Sequence, residues 1–181
     1  MKGALALLAA ASIAGPALSQ PAPAAPEACL HTRTGFDLTI HAPLAATEGL
    51  FGPNGERAWA GEDWDPQFIY PQPAADVEGA VFTVQHGPLT AVWVTTAHDM
   101  EARHFQYVYF LPGLMVTTID VRFSVVGADA TGVNVVYTRA AIAPKGNAHV
   151  TAMTEGDKQA GKEWQTALDT YLAQGKPRSK P

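Results

Sequence analysis

Between Met115 and Val125 the chain alternates strictly. Met115, Thr117, Ile119, Val121, Phe123 and Val125 fall on one face, and Thr118, Asp120, Arg122 and Ser124 fall on the other. A period of two with one apolar side is the pattern of a strand packed on a core and wet on its far face. Weaker copies of the pattern flank it. Leu30–His41 sets Phe36, Leu38 and Ile40 against Asp37 and Thr39, and Pro43 stops it. Residues 80–85, 89–97, 103–110 and 133–142 also read as strands, separated by His86-Gly-Pro88, His98-Asp-Met-Glu101, Leu111-Pro-Gly113 and 127–132. Between the first two strands, Leu44–Phe51 and Glu56–Ala60 are short and compatible with brief helices, joined by the turn cluster Gly52-Pro-Asn-Gly55.

After Val150 the period changes. Ala160, Trp164, Ala167, Leu168 and Tyr171 recur at three- and four-residue steps, which places them on one stripe of a helix. Thr154-x-x-Asp157 has the spacing of a capping box, with a start near His149 as the alternative, and Gly175 followed by Pro177 gives the stop. Strands joined by short turns pair antiparallel. A sheet with one apolar face needs a cover, and the terminal helix is the long element able to supply it. The expected class is α+β.

The ends read differently. Lys2 followed by an apolar run from Ala4 to Ala14, and then Ala17-Leu-Ser19, predicts a signal peptide over residues 1–19 cleaved before Gln20. A Pro/Ala-rich linker (20–29), a domain over 30–174 and a short basic tail (175–181) follow. The expected location is periplasmic or secreted. Cys29, the single cysteine, sits too far from the apolar run to be a lipid anchor and has no disulfide partner within the chain. The formal charge is −5, and bases cluster only in the tail, so no basic face for nucleic acid is expected. No later segment is apolar over the length of a membrane span.

Several pieces together resemble the START-like, or SRPBCC, superfamily of the pollen-allergen and polyketide-cyclase type. They are Phe51-Gly-Pro-x-Gly-Glu-Arg-x-Trp59, Trp64-Asp-Pro66, Gly79-x-x-Phe82, Val92-Trp-Val94, Tyr137-Thr138, Pro144-x-Gly-Asn147 and the helix Trp164…Leu168…Tyr171-Leu172. They run in order from Leu30 to Ala173. The resemblance implies a helix-grip fold: a curved antiparallel sheet, two short helices after the first strand, and a long C-terminal helix over a cavity. It also implies a small apolar ligand, lipid-like or aromatic. Members of the superfamily are usually cytosolic, so a leader sets this chain apart and argues against work on a carrier-tethered chain.

In such a fold Phe82, Trp93, Phe105, Tyr107, Tyr109, Met115, Ile119, Phe123, Tyr137, Trp164 and Leu168 are the candidates to line the cavity, with the tyrosine hydroxyls as orienting groups. Trp59 and Trp64 read as anchors for the short helices. Arg139 reads as reaching water near its strand end, the alternative being a buried Arg with a partner or an anionic ligand. None of the six histidines has a metal-ligand spacing; no nucleophile motif, phosphate loop or cofactor motif is present, and neither metal nor cofactor is expected. Three functions remain open: binding of a small apolar molecule, a cyclase or dehydratase using Tyr107, Tyr109, Glu56 or a histidine, and a protein-interaction module. Protein recovered from outside the cytoplasm is expected to begin at Gln20. N-terminal mass spectrometry checks this, and an intact Met1 in such material refutes it.

Overall fold

The computed structural model of the protein describes residues 27–174. The leader, the linker as far as residue 26 and the tail 175–181 lie outside the described residues. Seven strands form one antiparallel sheet: β1 (His31–Ile40), β2 (Gln67–Tyr70), β3 (Val81–His86), β4 (Leu89–Asp99), β5 (His104–Leu111), β6 (Met115–Gly127) and β7 (Ala130–Ala141). Their order is β1-β7-β6-β5-β4-β3-β2. Strands β2 to β7 form a meander of neighbours, and β1 returns to pair with β7. Between β1 and β2 lie helix α1 (Leu44–Glu48) and a single 3-10 turn (Gly55–Ala58). Helix α2 (Asn147–Gln174) closes the chain. This is the α+β helix-grip arrangement.

The alternation in β6 has its expected consequence. Met115, Thr117, Ile119, Val121 and Phe123 are buried, while Val125 lies beyond the core near the β6–β7 turn and is exposed. Strand register then carries the inner face across the sheet. Tyr109 lies opposite Thr117, which lies opposite Arg139; Tyr107, Ile119 and Tyr137 form the adjacent row. Strand β2 was not anticipated. It is four residues long, bounded by Pro66 and Pro71, and sits at the sheet edge, where so short an apolar run carries little periodicity.

Helix α2 starts at Asn147, earlier than the Thr154-x-x-Asp157 spacing suggests, and that pair is no cap. Asn147 accepts from the Leu30 N–H at 2.7 Å and so ties the helix start to β1. Thr154 lies mid-helix, its hydroxyl donating to the Val150 carbonyl and meeting Thr32 Oγ1 at 2.9 Å. Asp157 faces the sheet and takes the Arg139 guanidinium in a two-pronged ion pair, Nη2 to Oδ1 at 2.9 Å, with the Thr34 hydroxyl as a further donor. Arg139 therefore does not reach water: it is 4% exposed. A spacing read as a local cap is instead a tertiary contact, because a threonine and an aspartate three residues apart share one helix face.

Close approach at two glycines fixes the same end of the fold. A Cβ on Gly146 would stand 2.0 Å from the Leu114 carbonyl oxygen, so the turn into α2 packs backbone to backbone on the β5–β6 connection. A Cβ on Gly161 would meet the Phe36 side chain at 3.0 Å, which lets α2 lie close on β1. Among the residues of α2 only Val150 and Leu168 are buried. The seventeen residues between them run about 27 Å along the helix axis at 1.5 Å per residue. Between these two residues the helix touches the sheet along β1 and β7, through Thr154, Asp157 and Gly161.

Removing one partner of a buried pair leaves the other charge uncompensated, a cost of about 3–5 kcal/mol. Asp157→Asn is expected to lower unfolding free energy by that order in urea titrations. Joint replacement of Arg139 by Met and Asp157 by Leu should recover most of it.

Candidate ligand cavity

The space left under α2 is a cavity of about 400 Å³. Each wall comes from a separate element. Strand β3 supplies Phe82 and His86, β4 Trp93, β5 Tyr107 and Tyr109, β6 Ile119 and Val121, and β7 Tyr137 and Arg139. Helix α2 supplies Glu163, Trp164 and Ala167, and the segment around the 3-10 turn supplies Pro53, Glu56, Trp59, Ala60 and Trp64. All four tryptophans of the chain face this one space. Trp59 meets Trp164 edge-on at 5.2 Å and Trp64 meets Trp93 edge-on at 5.3 Å, while Trp93 stacks on Tyr109 at 4.4 Å. Such contacts contribute about 0.5–1.5 kcal/mol each beyond area burial and hold the rings in place.

Of the candidates read from sequence, Phe82, Trp93, Tyr107, Tyr109, Ile119, Tyr137 and Trp164 line the cavity. Phe105, Met115, Phe123 and Leu168 do not; they fill the core. Phe105 is covered by the His98 ring at 4.2 Å and packs edge-on against Phe123 at 5.0 Å. Phe123 in turn packs edge-on on Phe51, Met115 pairs with Ala141 at the far end of the strands, and Leu168 sits where α2 meets the core. Side-chain direction along the strands is right for Phe105, Met115 and Phe123, but their position along the strand axis is not. Trp59 and Trp64, read as anchors of the short helices, are cavity residues too, and so is Glu56, read as a possible acid. Trp59 and Trp64 also anchor the segment, their indole N–H groups donating to the carbonyls of Leu50 at 2.7 Å and Pro53 at 3.0 Å.

The polar groups fall into two sets. Several are satisfied by the protein. The Tyr107 hydroxyl donates to the Phe51 carbonyl at 2.6 Å, and burial, with Glu56 and Asp76 adding to it, pushes its pKa well above the usual value. The Tyr109 hydroxyl meets the Met153 sulfur at 3.0 Å. Asp76 accepts from the Asn54 N–H at 3.0 Å and the Gly55 N–H at 3.3 Å. Others have no partner among the described residues. Tyr137 is 7% exposed, the Arg139 guanidinium lies 4.4 Å over its ring, and its hydroxyl makes no hydrogen bond. Burial first, then the neighbouring acids Asp157 and Glu56, keep it protonated far above the ordinary tyrosine range. The His86 ring lies roughly parallel to those of Trp93 and Tyr109, at 6.4 and 6.0 Å, with its Nε2 unpaired, and burial lowers its pKa.

Glu56 is the unusual group. Among the described residues its side chain makes no hydrogen bond or ion pair; it is half-buried and lines the cavity. Desolvation, with the Asp76 charge as a second cause, pushes its pKa up to about 8. Nothing in the sequence signals this, since burial and not spacing makes the shift. Among the described residues no group of three His, Cys, Asp or Glu side chains is placed to hold an ion.

Glu56 makes stability depend on pH in a definite direction. The folded protein keeps a proton that the unfolded chain releases near the ordinary 4.5. Wherever the folded state binds more protons, stability falls as pH rises. The loss runs from about 4.5 to about 8 and then levels. Glu56→Gln is therefore expected to gain on the wild type progressively across that window in urea unfolding, and a difference independent of pH would refute it.

No family model matches the chain and no curated protein matches it in sequence. Solved structures do match in shape. Truncated norcoclaurine synthase from Thalictrum flavum superposes with a TM-score of 0.59 at 12% identity, over 83% of this chain and 98% of that one. Ara h 8.0201 gives 0.54 at 11% identity over 80% and 99%. DynU16, from the dynemicin biosynthetic locus, gives 0.54 at 17% identity over 80% of this chain and 48% of that one. At such identities the likeness shows the fold and does not carry the chemistry across. The fold of this chain is the helix-grip fold of the START-like, or SRPBCC, type.

Proposed function

We propose that this protein is an exported binding protein for a small, predominantly aromatic molecule held between the sheet and α2. The observation that carries the reading is the convergence of four tryptophans on one cavity of about 400 Å³. That size is ordinary for a small-molecule site, and apolar walls with a few polar groups are its usual composition. Flat indole and phenol walls suit a planar ligand of one or two rings better than a flexible acyl chain. Export rests on the leader pattern of residues 1–19. Among the described residues no helix is long and apolar enough to cross a membrane.

Glu56 supports a second reading. A carboxyl group that holds its proton up to about pH 8 inside an aromatic cavity is a suitable general acid. On that reading the ligand is also a substrate, protonated by Glu56, with Tyr137 as a hydrogen-bond donor.

Because every tryptophan lines the cavity, intrinsic fluorescence reports its occupancy. Titration with an aromatic compound library is expected to give saturable changes in emission for a subset of compounds. Trp64→Ala is expected to weaken the best of them roughly tenfold, equivalent to about 1.4 kcal/mol. Native mass spectrometry of protein purified from its own host should show the added mass. Ligand-free recovery together with no uptake from lipid or aromatic libraries would overturn the binding reading. Turnover of a bound compound that Glu56→Gln abolishes would favour the second.

A further inference from the structure

The charges around the cavity do not balance. Among the described residues Arg139 is the one Arg or Lys in its wall; Asp157 takes both of its terminal nitrogens, and only its Nε is without a partner. Asp76 is held by the backbone N–H groups of the 3-10 turn. Burial lowers the pKa of His86. That leaves Glu56, half-buried and lining the cavity, and Glu163 on the exposed side of α2, neither of them in an ion pair among the described residues. Tyr137, 7% exposed and with a hydroxyl that has no partner among the described residues, lines the same space. Beside the cavity, and sharing His86 with it as a wall, lies a shallow depression lined by Glu62, Asp63 and Asp65. Arg57 pairs with Asp65 at 2.6 Å, and Glu62 and Asp63 remain as exposed acids.

We infer that the natural ligand carries an organic cation, an ammonium group on an aromatic or compact apolar body, seated against Glu56 and enclosed by the tryptophan faces. The inference rests on the binding reading above and names the chemical class that site takes. Three observations favour a cation over an anion or a neutral molecule. The cavity holds an acid without a counter-charge, and the cation already present is committed to Asp157. Indole faces attract a cation through the ring quadrupole, most strongly where water is excluded. Exposed acids beside the cavity raise the local concentration of cations and repel anions.

A bound cation also removes the reason for Glu56 to hold its proton. Besides the solvent it has lost, the groups acting on Glu56 are Asp76 from the segment before β3, and the protonated phenols Tyr107 from β5 and Tyr137 from β7. None of them supplies positive charge. A ligand ammonium does, and binding then releases one proton. Affinity for a permanently charged ligand should accordingly rise with pH until Glu56 is ionised in the free protein.

Three probes separate charge from shape: benzyltrimethylammonium, its neutral isostere neopentylbenzene, and the anion phenylacetate, each followed by tryptophan fluorescence. The ammonium is expected to bind at least tenfold more tightly than the isostere near pH 8, and phenylacetate more weakly than either. Its Kd should fall as pH rises towards about 8, by up to about tenfold per unit, and then level, while that of the isostere changes little. Glu56→Gln should abolish both the tenfold preference and the pH slope. The wild-type pH series tests the idea even if the variant folds poorly. An isostere or phenylacetate that binds as tightly as the ammonium overturns the cation inference and leaves aromatic binding standing. Failure of all three probes counts against both.

Discussion

The buried pair between Arg139 on β7 and Asp157 on α2 sets the geometry on which the cavity depends. It joins the sheet to the middle of a helix whose other buried contacts lie near its two ends, at Val150 and Leu168. Most lateral ties of α2 fall on the β1 side, the Met153 sulfur on the Tyr109 hydroxyl being the exception. Thr154 and Asp157 reach the threonines of β1, and Gln165 exchanges hydrogen bonds with the backbone of Thr39, also on β1. The helix is therefore anchored along the β1–β7 half of the sheet, and the β3–β6 half is left uncovered beneath it. A curved sheet with one half of its apolar face lacking a helix must either collapse or enclose space. Here bulky aromatic side chains, pinned edge to face, occupy the margins of that space and prevent collapse. A buried ion pair is seldom the most stabilising choice for such a position, since hydrophobic replacements of similar volume often do as well. Its value here is positional: two parallel N–H···O contacts fix both the rotation and the height of the helix over β7.

The same pair explains the electrostatic character of the cavity. By closing Arg139 and Asp157 on one another, the protein removes that wall cation from play. The Glu56 carboxyl is then left facing aromatic rings and phenols, with Asp76 nearby as a further negative charge. Desolvation of a charge is costly, and a carboxyl in that setting answers by keeping its proton. The raised pKa of Glu56 and the structural role of Arg139 are thus two results of a single arrangement.

How much of this could be read from the sequence varies with the range of the interaction. The β6 alternation and the three- and four-residue recurrence of Trp164, Leu168 and Tyr171 are local, and they gave the fold class and the inward faces. Facing direction is legible because the strand period is two. Depth along the strand is not, which is why Phe105 and Tyr107, two residues apart on one face, differ: one is core and the other cavity wall. The partner of Arg139 lies eighteen residues away on a different element. Only the register of β7 against β1, and the rotation of α2 over both, bring the two together, so Asp157 looked like part of a cap. Glu56 was visible as a possible acid, yet its significance comes from what surrounds it, and Trp59 and Trp64 passed for simple anchors because they are anchors as well.

The two functional readings place opposite demands on one proton. A general acid must hold it when substrate arrives, and a carboxylate that recognises an ammonium must have given it up. At a single pH Glu56 serves both poorly, because each cation that ionises it disarms the acid. The fold does not choose between them, since structures of the same shape include a synthase. The surroundings of Glu56 do lean one way. A general acid needs a route for its proton to return after each turnover, and the hydroxyl of Tyr107 is bonded to the Phe51 carbonyl, that of Tyr109 to a methionine sulfur. Neither is free to relay. Among the described residues the Tyr137 hydroxyl, held protonated by the same burial that acts on Glu56, and His86 Nε2 are unpaired, and no hydrogen bond links either to Glu56. A group that can lose its proton once to a tightly held cation, but has no ready way to cycle it, is better suited to recognition than to repeated acid catalysis.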